Sequence, residues 1–525
     1  MRLIILSALL ASAGAGAAEP AAHQTVEVTL GTTVEGATST APQGGRLIVF
    51  AQRIADGKPV PEEVDLSPFS PTDTAIAARD VIGLAPGQSA SVDGDNDSFP
   101  TPFSALPPGR YAVQAVLDRN HDYNYGGRGP GDIVSPVTTI TLPGPARLTL
   151  DHVLPAVDDA KILSWNGPEK RAETAAAMAA LKPVDVPSAA LSAFYGRPIA
   201  VHGYAALAPG YGARGAHFPV VYEFAGYGGS LQSAKLSAAI VGRDLASGAL
   251  PPMIHVFLDQ SSPRGTHEFA DSVNNGPWGK ALSQEVVPWV DRHFATDGRA
   301  SSRFLTGHSS GGWAALWAQV AYPKTFGGSW PTSPDPSEFH DFTNVDLYAA
   351  SSNAFRMANG EVAPLVRDKG KVQATFEQFA RIERILGPVG GQLASFEWVF
   401  SPKGDDGAPM PLFDRNTGAV DPAVAAYWID HYDVARLVER NWTKLRPDLD
   451  GKIHLFVGTA DTFYLDGPAH RLEAVFRKLG AHEQFTYIPD RTHFDLYRIG
   501  DDRSGLRKQI NREMYARARP AAARR

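Results

Sequence analysis

The 525-residue sequence contains no cysteine. This absence excludes disulfide bonds, thiolate catalysis, cysteine-ligated zinc and a lipid anchor attached to cysteine. Basic residues are fewer than acidic residues. The chain has 49 Lys and Arg but 56 Asp and Glu, which gives a formal net charge of -7. A nucleic-acid surface needs concentrated positive charge. The one basic cluster is the C-terminal tail, where a solvated terminus is the simpler interpretation; its residues are Arg517, Arg519, Arg524 and Arg525. We therefore expect no nucleic-acid partner.

Long apolar runs are missing as well, since no segment after the first residues has 18 uninterrupted apolar positions. No membrane span is predicted. Residues 1–18 place Arg2 before an apolar run that ends in small residues, which is typical of a secretory signal peptide. Gly16 and Ala18 suit the positions before a cleavage site, so we expect cleavage near Glu19. The sequence predicts an exported protein, periplasmic or secreted, and leaves its oligomeric state open.

The spacing of apolar and turn-forming residues divides the chain into two parts. Residues 25–154 show short β segments separated by Gly, Pro, Asp and Asn, which favours a β-sandwich-like domain. Residues 155–187 lack strong periodicity and are interpreted as a linker. Residues 188–515 alternate strands with helices, which predicts an α/β catalytic domain with a mostly parallel sheet flanked by helices.

Five buried strands and one interruption are predicted within this α/β part. The strands are expected at residues 220–224, 254–258, 303–306, 453–457 and 485–488. The alternation becomes irregular at residues 334–449, which we interpret as an insertion that covers part of the active site. Within it, apolar positions from Val372 to Leu386 follow a helical period that ends at Gly387.

The segment Gly307-His308-Ser309-Ser310-Gly311 matches the G-x-S-x-G pattern. A short strand precedes it and a helical pattern follows, which is the strand-turn-helix context of a nucleophile elbow. Such an elbow holds its serine in a strained turn, so the neighbouring residues must be small. The glycine spacing selects Ser309 as the nucleophile, and His308 is interpreted as a packing residue.

An acid and a base follow the last two predicted strands. A serine hydroxyl needs a base to take its proton, and the base needs a partner that fixes its tautomer. Asp461 follows the strand at 453–457, and His493 follows the strand at 485–488. This order of Ser, Asp and His predicts a catalytic triad at the carboxyl ends of parallel strands. Asp466 is the main competitor for the role of the acid, whereas Asp495 is too close to His493.

A tetrahedral intermediate also needs two preorganised N–H donors. The Ser310 N–H is the first candidate because it directly follows the nucleophile. The strand at 220–224 continues into the glycine-rich run Ala225-Gly226-Tyr227-Gly228-Gly229. We expect the Tyr227 N–H to be the second donor, although an ordinary βα turn is the alternative.

Five stretches of the sequence together resemble one enzyme family. They are HFPVVYEFAGYGG, NNGPWGKALSQEVVPWVDRHF, FLTGHSSGGWAALWAQVAYPKTFGG, HLFVGTAD and PDRTHFDLY. In this order they resemble the putative esterase family of the α/β-hydrolase fold, which includes esterase D-type, feruloyl and enterochelin esterases. The resemblance implies the same triad and donors, and it places Asn275 and Trp278 near the acyl pocket. The family usually has His where Ala225 stands, and the insertion at 334–449 matches nothing in it, so no substrate is implied.

The motif Asp118-x-Asn120-x-Asp122-x-Asn124 follows a predicted strand of the N-terminal part. Alternating oxygen ligands could hold calcium. The full helix-loop-helix pattern fails, because Tyr123 replaces the turn glycine and Gly129 occupies the position of the bidentate glutamate. A weak calcium site and an Asx-rich hairpin turn both remain open.

The sequence therefore predicts a serine esterase that hydrolyses a small-molecule or glycan-linked ester through an acyl-enzyme, without a cofactor. An acyltransferase or a peptidase could use the same machinery. A non-catalytic binding protein on a hydrolase scaffold is a further alternative, although such proteins typically lose a member of the triad and this sequence retains all three.

Overall fold

The computed structural model describes residues 23–520, so the predicted signal peptide at residues 1–18 lies outside the described part. Within residues 23–520, no helix combines the length and the apolar character that crossing a bilayer requires. Two large sheets organise this part of the chain.

The first sheet contains nine strands with the order β4-β1-β9-β7-β6-β2-β3-β5, and β8 pairs with β6. Alternation along the strands turns apolar side chains such as Val28, Val49 and Leu148 toward a shared core. This all-β region confirms the predicted fold class. Its strands are β1 (Thr25–Glu35), β2 (Gln43–Arg53), β3 (Thr74–Leu84), β4 (Ser89–Asp93), β5 (Ser98–Phe99), β6 (Gly109–Asp118), β7 (Ile133–Val134), β8 (Thr138–Leu142) and β9 (Ala146–Val153). A short helix, α1 (Tyr123–Gly126), lies between β6 and β7.

Part of the segment expected to be a linker, residues 155–187, has regular structure. It contains α2 (Asp159–Ser164), α3 (Arg171–Ala180) and β10 (Lys182–Pro187). The side chain of Asp158 caps α2 by accepting from the Lys161 N–H. Strand β10 then pairs with the edge of the second sheet, so the α/β part begins before residue 188.

The second sheet has eight strands with the order β10-β11-β13-β12-β18-β19-β22-β23. Strand β11 runs antiparallel to both neighbours, and the remaining pairs are parallel. This order is that of the α/β-hydrolase fold, which confirms the predicted fold class. The strands of this sheet are β11 (Ala200–Ala206), β12 (Val220–Phe224), β13 (Ile254–Leu258), β18 (Arg303–His308), β19 (Gly328–Thr332), β22 (His454–Gly458) and β23 (Gln484–Ile488). Short two-residue strands lie between β13 and β18, namely β14 (Ser261–Ser262), β15 (Gly265–Thr266), β16 (Asp271–Ser272) and β17 (Gly276–Pro277).

Helices cover the second sheet, and the central one is buried on all sides. Every residue from Ser310 to Val320 of α8 is buried, because the sheet packs on one face of this helix and the insertion on another. Besides α1, α2 and α3, the helices outside the insertion are α4 (Ala189–Tyr195), α5 (Leu231–Ala246), α6 (Trp278–Ala281), α7 (Val287–His293), α8 (Ser310–Ala321), α13 (Asp466–Lys478) and α14 (Gly505–Ala518).

The insertion expected at residues 334–449 packs against both sheets. Trp428 and Phe400 belong to the same core as Trp313 of α8. Ile385 instead packs on the outer face of the first sheet, against Phe50 of β2. The elements of the insertion are β20 (Pro364–Asp368), β21 (Lys371–Thr375), α9 (Phe376–Leu386), α10 (Gln392–Phe400), α11 (Pro422–Tyr432) and α12 (Val434–Leu449).

Replacing Ile385 with alanine is expected to destabilise the contact between α9 and the first sheet. The side chain is 1% exposed, and truncating a buried isoleucine to alanine typically costs about 2–5 kcal/mol. The midpoint of urea unfolding of the full chain should therefore fall. Val372→Ala is the control, since Val372 of β21 is 46% exposed. Equal losses in the two variants would contradict this packing.

Candidate active site

Ser309 stands at the junction of β18 and α8 with a backbone φ of 59° and ψ of -127°. A non-glycine residue rarely adopts a positive φ, and such strain costs on the order of 1–3 kcal/mol. The conformation fits the nucleophile elbow expected from the sequence. It raises the side chain of Ser309 at the carboxyl end of β18.

Glycines allow the backbone to close around this turn. A Cβ atom on Gly307 would lie 2.2 Å from the carbonyl oxygen of Gly311, and one on Gly311 would lie 2.3 Å from the carbonyl oxygen of Phe224. A Cβ on Gly312 would lie 2.8 Å from the Thr332 carbonyl oxygen. Because these neighbours are backbone atoms, no side chain can be accommodated at the three positions.

His493 and Asp461 form a buried pair on the loops that follow β23 and β22. His493 Nδ1 lies 2.9 Å from Asp461 Oδ2, and the side chains are 4% and 0% exposed. Burial alone would raise the pKa of Asp461, but His493 and the hydrogen bond from the Phe463 N–H hold it below its usual value. Asp461 is therefore ionised at neutral pH and orients the imidazole.

The two competing carboxylates have other partners. Asp466 lies in the first turn of α13 and pairs with Arg367. Asp495 accepts hydrogen bonds from the N–H and the hydroxyl of Thr492 at 2.7 and 2.8 Å. Neither carboxylate hydrogen-bonds to His493 in the part of the chain that the structure describes.

His308, inside the elbow, packs beside the base. Its ring centroid lies 4.3 Å from that of His493, and its Nδ1 lies 3.1 Å from Thr332 Oγ1. Burial, followed by the positive charge of a protonated His493, lowers the pKa of His308 to about 3. His308 is therefore neutral at physiological pH, as a packing role requires.

The glycine-rich loop after β12 lies beside Ser309. A Cβ atom placed on Gly226 would be 3.3 Å from Ser309 Cβ and 4.0 Å from Ser309 Oγ. The Tyr227 hydroxyl donates to the carbonyl oxygens of Asn124, at 2.7 Å, and Gly390. The loop that carries one predicted donor is thus anchored on both the N-terminal region and the insertion. Ser310, which carries the other, is fully buried at the start of α8.

Asp335 is a site residue that sequence reasoning missed. It follows β19 and accepts hydrogen bonds from the hydroxyls of Ser310 at 2.6 Å and Ser309 at 3.3 Å. Burial raises the pKa of Asp335 to about 6, although both serines and the nearby His493 lower it. Asp335 therefore accepts a hydrogen bond from Ser309 and lies within electrostatic range of His493 and Asp461. Its position directly after a buried strand, at the same sheet edge as Asp461, is the signal that could have identified it.

Glu268 is a second carboxyl group missed from the sequence. It is fully buried, and neither carboxyl oxygen has a hydrogen-bond partner among the described residues. Burial and then the charge of Asp335 raise its pKa well above the usual range. Glu268 also has a φ of 51°. A neutral carboxylic acid thus lies in strained backbone within electrostatic range of Asp335.

Asn275 and Trp278 lie in the core of the α/β part. Trp278 Nε1 donates to the Asn275 carbonyl oxygen at 2.7 Å, and the indole stacks on His267 with centroids 3.5 Å apart. Within the described residues, neither side chain hydrogen-bonds to Ser309 or to the pair of Asp461 and His493. Their proposed place beside the acyl group remains a prediction.

The acidic loop predicted as a weak calcium site lies between β6 and β7. The structure brings Asp118 and Asp122 together with Asp132, which the spacing of the motif did not include. The amide of Asn124 is directed elsewhere and donates to carbonyl oxygens of α9 and of the residue that ends it. The amide of Asn120 donates to the Pro130 carbonyl oxygen.

Comparison with known proteins gives a family match and several structural likenesses. The family model described as "Putative esterase" matches residues 196–514. No curated protein sequence matches the chain. A ferulic acid esterase structure is 13% identical with a TM-score of 0.38. The match covers 64% of this chain and 98% of the esterase chain.

Two further solved structures are similar to the same extent. The S-formylglutathione hydrolase from Agrobacterium tumefaciens is 16% identical with a TM-score of 0.37, covering 64% of this chain and 94% of that one. The fluorophosphonate-binding serine hydrolase F of Staphylococcus aureus is 10% identical with a TM-score of 0.38. This match covers 64% of this chain and 97% of the hydrolase chain. At such identities and TM-scores, these structures say nothing about the substrate of this chain.

Asp335→Asn is expected to stabilise the protein at high pH. The folded protein retains the Asp335 proton up to about pH 6, whereas an unfolded chain releases it near pH ~4. Ionisation of Asp335 therefore destabilises the fold as the pH rises through this window. The variant should exceed the wild type in free energy of unfolding by about 1–3 kcal/mol at pH 8. The difference should shrink toward pH 4.

Urea unfolding at several pH values measures this difference. Asp405→Asn is the matched control, because Asp405 is exposed in a loop of the insertion. A gain for Asp335→Asn that does not vary with pH, or one that the control shares, would contradict the raised pKa of Asp335.

Proposed function

The chain belongs to the Putative esterase family of serine ester hydrolases, and on that basis we propose that it hydrolyses carboxylic esters through an acyl-enzyme formed on Ser309. The observation that carries the proposal is the 2.9 Å hydrogen bond between buried His493 and Asp461. It lies at the same sheet edge as the strained Ser309. Nucleophilic catalysis by serine requires a base with a fixed tautomer within reach of the serine hydroxyl.

In the proposed reaction, His493 Nε2 takes the Ser309 proton as Oγ attacks the ester carbonyl carbon. The carbonyl oxygen becomes an oxyanion that accepts hydrogen bonds from the Tyr227 and Ser310 N–H groups. The intermediate collapses, and the alcohol leaves with the proton that His493 returns. Water then attacks the acyl-enzyme in the same way and releases the acid.

In the proposed reaction, the Ser309 hydroxyl turns away from Asp335 and toward His493 before it attacks the ester. The hydroxyl donates to Asp335 over a long 3.3 Å, so little energy opposes its reorientation toward His493. Catalytic hydrogen bonds are often long before substrate binds. We therefore assign Asp335 the role of a positioning residue that holds the hydroxyl in the resting enzyme.

The substrate class and the location are proposed from the sequence. The apolar N-terminal segment supports export to the periplasm or the medium, where a small-molecule or glycan-linked ester would be the substrate. Retention of Ser309, Asp461 and His493 argues against a non-catalytic binding protein. Competing alcohols and amines in the assay would distinguish hydrolysis from acyl transfer, because a transferase would form new esters or amides.

Ser309→Ala is expected to abolish labelling by a fluorophosphonate probe and to lower ester turnover by about 10⁴-fold or more. The probe reacts only with a hydroxyl that a base has activated, and alanine has none. Gel fluorescence and p-nitrophenyl ester hydrolysis measure the two effects. Ser301→Ala is the control, since Ser301 is exposed just before β18. Labelling that persists in Ser309→Ala would refute the assignment.

Asp461→Asn is expected to lower kcat by about 10⁴-fold, because an amide favours the wrong imidazole tautomer. Asp466→Asn is the matched comparison, since it removes only the ion pair with Arg367, and we expect less than a tenfold change. Steady-state kinetics of the two variants at pH 8 make the measurement. The roles would be reversed if Asp466→Asn were the inactive protein.

A further inference from the structure

Three carboxylates converge where β6 ends and the loop that leads to β7 folds back on it. Asp118, Asp122 and Asp132 each offer an oxygen, and these oxygens all lie within 4.8 Å of one another. Asp118 is 1% exposed and Asp132 is 0% exposed. Within residues 23–520, none of the three forms an ion pair with Lys, Arg or His. Three acidic groups therefore share one small volume without a neutralising side chain.

Two of the buried oxygens have no partner. Asp132 Oδ2 accepts from the Gly129 N–H at 2.8 Å, but its Oδ1 has no hydrogen-bond partner in the described part of the chain, and neither has Asp122 Oδ1. Asp118 is different, because its two oxygens accept from the Asp122 and Tyr123 N–H groups. An unpaired buried carboxylate oxygen is costly. Buried carboxylate oxygens without a partner are well suited to bind a cation.

The electrostatics agree with this geometry. Burial, and then the charges of Asp118 and Asp122, raise the pKa of Asp132 to about 7. The backbone hydrogen bonds that Asp132 accepts lower this pKa but do not cancel the increase. Burial and then Asp118 raise the pKa of Asp122 as well. A divalent cation would remove the mutual repulsion and compensate for the burial of the carboxylates.

We propose that Asp118, Asp122 and Asp132 bind a calcium ion. Calcium prefers six to eight oxygen ligands and accepts irregular arrangements of carboxylates, whereas magnesium demands near-octahedral geometry. Asp122 also lines a surface pocket together with Tyr125 and Gly129, which provides an entry path for the ion. The site differs from the alternating motif in taking its third carboxylate from Asp132.

The loop that carries these carboxylates supports the predicted oxyanion loop. The Tyr125 hydroxyl donates to the Gly229 carbonyl oxygen at 2.6 Å, and the Asn124 carbonyl oxygen accepts from the Tyr227 hydroxyl. The Asn124 amide also donates to the Glu383 carbonyl oxygen at 2.9 Å. A bound ion would therefore order the turn on which the Tyr227 loop rests. The relevance of this contact to catalysis depends on the proposed function, whereas binding of the ion does not.

Titration of the chelator-treated full chain with CaCl₂ tests the site. We expect calorimetry to show one calcium ion per chain, and Tb³⁺ to give luminescence sensitised by Tyr123 and Tyr125. Asp132→Asn should weaken binding at least tenfold, whereas Asp56→Asn, which alters an exposed carboxylate of another loop, should bind as the wild type does. Calcium should also raise the Tm of the wild type, and this measurement does not depend on any variant.

The absence of both heat and a Tm change in the wild type would overturn the proposal, as would unchanged binding by a folded Asp132→Asn variant. Binding of magnesium with equal affinity would refute the choice of calcium. Hydrogen–deuterium exchange provides a readout independent of activity. Calcium should protect residues 118–132 together with residues 225–230, and protection confined to 118–132 would refute the link to the Tyr227 loop.

Discussion

The positive φ of Ser309 is the constraint on which the site depends. A strained conformation persists only where its surroundings leave no alternative, and here those surroundings are backbone atoms. A Cβ atom on Gly311 would lie 2.3 Å from the Phe224 carbonyl oxygen, so the start of α8 and the end of β12 fit together only with glycine. The same approach brings Gly226 beside Ser309. One steric arrangement therefore positions both the hydroxyl and the loop that carries a predicted donor.

Three buried carboxyl groups of the α/β part, Asp461, Asp335 and Glu268, have different protonation because their partners differ. Asp461 has His493 and two N–H donors, so its pKa is lowered. Asp335 receives only two hydroxyls and has a pKa of about 6, while Glu268 has no partner among the described residues and is neutral. At neutral pH, Asp461 and Asp335 are thus ionised, whereas Glu268 is not. Burying carboxyl groups with so few partners lowers the stability of the fold.

Local patterns predicted the central strands because buried parallel strands have short apolar runs, and β12 and β13 have the predicted bounds, residues 220–224 and 254–258. The sequence motifs likewise predicted the family and the proximity of His493 to Asp461. Strand β3 has a weaker apolar pattern because Arg79 and Asp80 interrupt it, and Asp80 pairs with Arg46 of the neighbouring strand. The helix expected from Val372 begins at Phe376, because Thr375 caps it and the preceding residues form β21. Asp132 was missed since only the tertiary fold brings it to its cluster, whereas Asp335 was missed because β19, the strand before it, was not among the predicted strands.

The contacts of Tyr227 explain why the N-terminal sheet matters to the site. Its hydroxyl reaches Asn124 and Gly390, which are 103 and 163 residues away in sequence, so no local pattern could indicate the arrangement. Helix α9 packs on the outer face of the first sheet beside these contacts. The acidic loop and the insertion therefore meet at the loop that borders Ser309. Because this loop is rich in glycine and has little rigidity of its own, its geometry depends on the contacts that hold it, which come from the N-terminal region and the insertion.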